Sequence, residues 1–237
     1  MRKIIIAVTF LLSTIFAKSQ INIVRYNDNF SNLNNDTLHK KGFEKIKYIH
    51  LFNGRNISFG GELREQFQYY CNQNFGDVPA YFAKVSTGQL LQRVMVHTNI
   101  ELGSKLRIFA QFGSTLRFFN PNPAVSEIDE NELSLHQAFI DYHFQKNWLV
   151  RTGRQEISFA NHRLITLREG PNTRLTFDAA VIKYHSGRRK IDVFAMSPVI
   201  SKTGVLDDQS FKDIIIGAYA TEQIVPRKLS IDYYVLV

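Results

Sequence analysis

From Ile57 onward, apolar and polar residues alternate with period two. Ile57, Phe59, Leu63, Phe67 and Tyr69 take one face of the first segment, and Ser58, Glu62, Arg64, Gln66 and Gln68 take the other. That is the pattern of a β-strand with one apolar and one polar face. Over 90–102, Leu90, Val94, Val96, Ile100 and Leu102 oppose Arg93, His97, Asn99 and Glu101. After Gly103-Ser104, Leu106, Ile108, Ala110 and Phe112 oppose Arg107, Gln111 and Thr115. A fourth segment, 133–144, sets Ala138, Ile140, Tyr142 and Phe144 against Gln137, Asp141 and His143. The fifth, 148–159, changes parity, because its apolar residues are Trp148 and Val150 and then Ile157 and Phe159. A bulge near Gly153 would repair the register and keep Arg151, Arg154, Glu156 and Ser158 together on the polar face. Further strands fit 176–185, 190–196, 214–220 and 229–237, making nine.

The connections alternate between long and short. Residues 72–89, 118–132, 160–175 and 197–213 are long, whereas 103–104, 145–147 and 186–189 are short. All six prolines are expected in connections, since a proline cannot donate to a sheet ladder. Strands of about 10 residues with turns at one end and long loops at the other predict an all-β fold, a transmembrane antiparallel up-and-down β-barrel. Its apolar faces would meet lipid and its polar faces the lumen. A soluble sandwich or lipocalin-type barrel would use similar strands but rarely sorts its loops by length so regularly.

The first 19 residues read as a secretory signal peptide. Arg2 and Lys3 precede the apolar run 4–16, and Ala17 and Ser19 sit at the small-residue positions of a cleavage site. The run is too short for a spanning helix, which needs about 20 residues. An exported chain with Cys71 as its only cysteine forms no internal disulfide. Residues 20–56, Asn-rich and then basic, read as a periplasmic lead-in or a disordered linker. The domain plan is therefore a signal peptide (1–19), a lead-in (20–56) and a barrel (57–237).

The formal charge is +8, and it is concentrated. Between Arg151 and Lys190, nine Lys or Arg face three Asp or Glu. Guanidinium groups match carboxylates in a two-pronged geometry and stay charged at physiological pH. Outside the cytoplasm such a cluster suits an acidic polymer or lipopolysaccharide rather than nucleic acid.

Three stretches resemble the alginate-export family of bacterial outer-membrane barrels: ISFGGELREQFQYY (57–70), LHQAFIDYHF (135–144) and VRTGRQEISFANHRLITLREGPNTRLTFDAAVIKY (150–184). The lead-in VRYNDNF with KYIHL is also similar. The resemblance implies a monomeric barrel of about 18 strands whose arginine-rich lumen passes an anionic, alginate-like exopolysaccharide passively. It matches Arg154 to the family's GRQ arginine, Arg163 to its RL pair, and Arg174 and Asp178 to its R-x-x-F-D segment. Nine strands are about half of such a barrel, so the sequence predicts a partial chain, with a closed eight-stranded barrel plus a spare segment as the alternative. The expected pore lining is Arg64, Arg93, Arg107, Asp141, Arg151, Arg154, Glu156, Arg163, Arg168, Arg174 and Asp178. Interspersed carboxylates would keep binding weak enough for release. Each inward arginine could instead serve a structural pair, and the loop arginines Arg163 and Arg168 could bind lipopolysaccharide. Outer-membrane lipid surrounds the wall in this reading.

A general small-anion porin or a surface-structural barrel would use the same wall. An enzyme is the rival class. Ser158, His162 and Asp178 assemble a triad on paper, but no nucleophile motif surrounds the serine. His136 and His143 differ in parity and so make no metal pair, and no phosphate loop, haem motif or zinc spacing is present. No catalytic residue and no cofactor is expected.

Overall fold

The computed structural model describes residues 22–34, 42, 44–71, 87–119, 128–209, 213–226 and 228–237. The signal-peptide reading of 1–19 lies outside them, as does most of the 72–89 connection. Among these residues nine long strands and two short ones form a single antiparallel sheet. They are β1 (Tyr48–His50), β2 (Arg55–Tyr70), β3 (Thr87–Leu102), β4 (Leu106–Phe118), β5 (Asn131–Gln145), β6 (Trp148–Gln155), β7 (Phe177–Ser186), β8 (Arg189–Ile200), β9 (Asp208–Gln209), β10 (Ile215–Val225) and β11 (Leu229–Leu236). Each long strand pairs with the next, and β9 pairs only with β8. This is up-and-down topology. Among the described residues no pairing joins β11 to β1 or β2, so the eight-stranded closed alternative is corrected: the sheet is open.

Alternation sorts the two faces as expected. Val96, Phe112, Ile140, Ile182 and Val193 are exposed on the outer face. On the inner face Arg93, Gln111, Gln137 and Asp141 are buried. The outer face also carries a small aromatic belt beside the short turns. Trp148 packs against Phe144 at 5.9 Å and Tyr184 at 4.9 Å, the kind of girdle found where a barrel wall meets the lipid headgroups.

Three expectations need correction. First, the register of β6 runs without a shift through Gly153, from Asp141↔Arg151 to Ala138↔Arg154, and its one irregularity lies between Tyr142 and Gln145. The parity change at Ile157 and Phe159 arises because the chain leaves the sheet after Gln155 and turns inward, where both residues are buried. Secondly, β5 is bulged against β4 between Gln111 and Phe112. The extra residue puts His136 and Gln137 inward together, so His136 and His143 do not lie on opposite faces as their numbering suggests. Thirdly, Pro198 lies inside β8. Val199 donates to Thr176 on the β7 side, so the nitrogen of Pro198 points toward β10. The β10 register with β8 begins only at Ile215↔Met196 and that of β9 only at Val199↔Gln209, so Pro198 falls between the two ladders on that edge.

Two connections depart from simple loops. Residues 156–176, between β6 and β7, fold back against the inner face. Ile157, Phe159 and Ile165 join Phe177, Ala179, Val181, Phe194 and Met196 in one apolar cluster. Residues 201–207, after β8, take up the edge of β5 that β6 vacates: Val205 bridges Leu133 in parallel, and Leu206 N–H donates to the Leu133 carbonyl.

Candidate functional site: the basic inner face

Strand alternation delivers Arg64 from β2, Arg93 from β3, Arg107 from β4, Asp141 from β5 and Arg151 from β6 to one inner surface. The inward connection adds Glu156, Glu169 and Arg174. Arg151 grips Asp141 with two hydrogen bonds, Nε at 2.6 Å and Nη2 at 2.8 Å. Arg107 approaches the same carboxylate at 3.6 Å and donates to Asn99 at 2.6 Å. Arg93 has a fully buried side chain and lies 3.4 Å from both Glu62 and Glu169. Arg174, almost fully buried, contacts Glu62 at 3.3 Å and Glu156 at 3.4 Å and bonds Glu169 closely. Arg64 lies 3.5 Å from Glu169 and donates to the Glu169 carbonyl at 2.8 Å. Glu156 also meets His136 Nε2 at 2.9 Å.

The cluster is therefore a mesh in which every strand arginine has a carboxylate. Burying a guanidinium alone costs several kcal/mol, and a partner of good geometry offsets this. Glu169 differs from the other acids. It gathers three arginines, yet its side chain is 41% exposed, whereas those of Glu156 and Asp141 are 1% and 3%.

Two predicted residues do not belong to this surface. Arg154 pairs with Asp178 through Nε at 2.9 Å and Nη2 at 3.0 Å. Both follow the parity of Ala138, Ala180 and Ile182 on the outer face, because the bulge that would have turned Arg154 inward does not occur. They border an outward hollow of about 640 Å³ with Ala138, Thr152, Ala180, Ala195 and Leu206. Arg163 and Arg168 are exposed on the 156–176 connection, and neither side chain forms an ion pair among the described residues.

The lead-in does not stand apart from the wall as its composition suggests. Residues 22–31 lie on the inner face. Arg25 pairs with Glu62 at 3.2 Å. The Ile23 carbonyl accepts from Arg174 at 3.1 Å, and the Tyr26 carbonyl accepts from Arg107. The Tyr26 ring meets Phe139 edge-on at 5.4 Å and Phe109 at 6.3 Å, while Arg151 stacks on it at 4.2 Å. Burial pushes the Tyr26 phenol up from its ordinary value, partly opposed by the Arg151 charge, so the ring stays neutral. The only hint in the sequence was an arginine beside an aromatic in VRYNDNF.

Ser158 Oγ and His162 Nδ1 do meet, at 2.8 Å, but Asp178 is bound to Arg154 and completes no triad. Among the described residues no group of three His, Cys, Asp or Glu could hold a metal ion. No described helix is long and apolar enough to cross a membrane, which says nothing of strands.

No curated protein matches the chain. Residues 55–236, from the first residue of β2 to the last of β11, match the family described as Alginate export. That is a family of outer-membrane β-barrels associated with polysaccharide passage. With its open up-and-down sheet and basic inner face, this chain belongs to the alginate export family.

Proposed function

We propose that the protein is an outer-membrane channel that passes an anionic polysaccharide such as alginate, by electrostatic selection without covalent chemistry. In this reading residues 1–19 address the chain for export, 20–56 form a lead-in on the periplasmic side, and 57–237 form a wall embedded as a monomer in lipid and lipopolysaccharide. Each unpaired backbone group in hydrocarbon costs several kcal/mol, so the wall closes through further pairing at β2 and β11.

The observation that carries the reading is the convergence of Arg64, Arg93 and Arg174 on the single exposed carboxylate of Glu169. The inner face already holds one carboxylate between three guanidinium groups. A uronate carboxylate presents the same chemistry and exchanges with Glu169 without leaving any guanidinium unpaired. Asp141 and Glu156 keep the remaining charge low, which favours release. Arg107 and Arg151 extend the track along the wall, and the exposed Arg163 and Arg168 attract anions, polymer or lipopolysaccharide, toward it. Arg154 and Asp178 have no part in this path.

Proteoliposomes loaded with a labelled oligouronate and a neutral oligosaccharide of equal length test the proposal. The protein should release the oligouronate faster. Equal release of both, or release of the neutral sugar alone, would show that the inner face does not select acids.

A further inference from the structure

Tyr26 sits in a recess whose lining suits a different occupant. Phe109 and Phe139 stack at 5.2 Å with an interplanar angle of 22°, and both are at least 98% buried. Arg151 lies over the Phe139 ring at 4.0 Å, and Arg107 lies over Phe109 at 5.7 Å. Tyr26 closes this group edge-on, carried by a single 3-10 turn (Arg25–Asn27). Its segment takes N–H groups of Arg107 and Arg174 with neutral carbonyl oxygens.

The fit leaves something over. Nη1 of Arg151 is buried and makes no hydrogen bond of acceptable geometry among the described residues. A charged donor without a well-aligned acceptor is unfavourable in a buried place, and the neutral Tyr26 phenol oxygen beside the guanidinium is a weaker match for it than an anionic oxygen. An occupant that brought both a flat apolar face for the phenylalanines and an anionic oxygen for Arg151 would satisfy the recess better. A pyranose uronate has both, in its C–H face and its carboxylate.

We propose that Phe109, Phe139, Arg107 and Arg151 form a subsite for an acidic sugar ring, and that Tyr26 is its resident competitor. The lead-in is then a strap across the inner face, and ligand binding requires its displacement. This deepens the channel reading and rests on it for the identity of the ligand, but the subsite can be tested without any conductance. A site blocked by an internal occupant binds with an affinity reduced by the fraction of time it is open.

The test is calorimetric titration of a homogeneous oligouronate into the refolded full chain in detergent micelles, compared with Tyr26→Ala. Removing the competitor should tighten oligouronate binding about tenfold. Tyr26→Phe, which keeps the ring, should bind as the original does, and a neutral oligosaccharide of the same length should gain nothing. Adding Phe139→Leu to Tyr26→Ala should abolish the gain. If Tyr26→Ala folds poorly, deletion of residues 22–34 replaces it with the same expectation. Unchanged affinity in the variant, no binding by either protein, or an equal gain for the neutral sugar would overturn the proposal. A tenfold gain in a protein that shows no selective release from liposomes would uphold the subsite while the channel reading fell.

Discussion

Arg174, on the connection between β6 and β7, reaches Glu62 of β2 at 3.3 Å across 112 residues of sequence. It also neutralises Glu156, whose side chain is 1% exposed. The inward connection is thus tied to the far side of the sheet by charge rather than by apolar packing alone. Arg174→Met should cost about 3–5 kcal/mol, because it leaves buried Glu156 with only the His136 imidazole and removes one of the three arginines that contact Glu62. Adding Glu156→Leu should recover part of the loss, since removing both partners leaves no orphan charge. Urea unfolding in lipid vesicles measures both variants, and a cost for the double variant equal to or above that of Arg174→Met would contradict the account.

The register places Arg154 on the outer face of the sheet. Arg154→Gln should therefore leave the reversal potential under a salt gradient unchanged while costing roughly 2 kcal/mol of stability, the worth of charged hydrogen bonds at a partly buried site. A shift in ion selectivity with full stability would return Arg154 to the inner face and refute the register argument.

Gly153 is the residue on which that register depends. Its φ of +122° is one that side chains rarely adopt, and an added Cβ would lie 2.2 Å from the Ala138 carbonyl oxygen. Gly153→Ala should lose about 1–3 kcal/mol from backbone strain alone, with the clash in addition. Gel mobility of the unheated protein reads the folded fraction, and a variant that folds as well as the original would contradict this geometry.

Much of this fold was legible in the alternation. The nine long strands and the inward positions of Arg64, Arg93, Arg107 and Arg151 follow from period two, because each pleat leaves a local trace in the sequence. The face of Arg154 was not legible. A parity change at Ile157 looks the same whether a strand bulges or the chain leaves the sheet, and only the burial of Ile157 in one cluster with Phe177 and Phe194 decides. The inward turn of His136 depends on one extra residue opposite Gln111, which leaves no local mark. The docking of Tyr26 and the fold-back of 156–176 are long-range events, set by Phe109, Phe139 and Glu62, far away in the chain.

The outer face gives a prediction that separates a membrane wall from a soluble sheet. Val96 is 57% exposed and faces outward near the middle of β3. In water, Val96→Arg at such a site costs within about 0.5 kcal/mol; facing the bilayer midplane it costs about 2–4 kcal/mol. Equilibrium folding into vesicles should give the larger figure, and a near-neutral result would place this face in water.

If the inner face selects carboxylated polymers, it should also set the ion selectivity and block of the open channel. Single-channel recording of the full-length protein in planar bilayers under a potassium chloride gradient reads both. The reversal potential should lie on the chloride side of zero, and soluble polyuronate but not a neutral glycan should block the conductance. A cation-selective channel, or one that polyuronate leaves open, would contradict such selection.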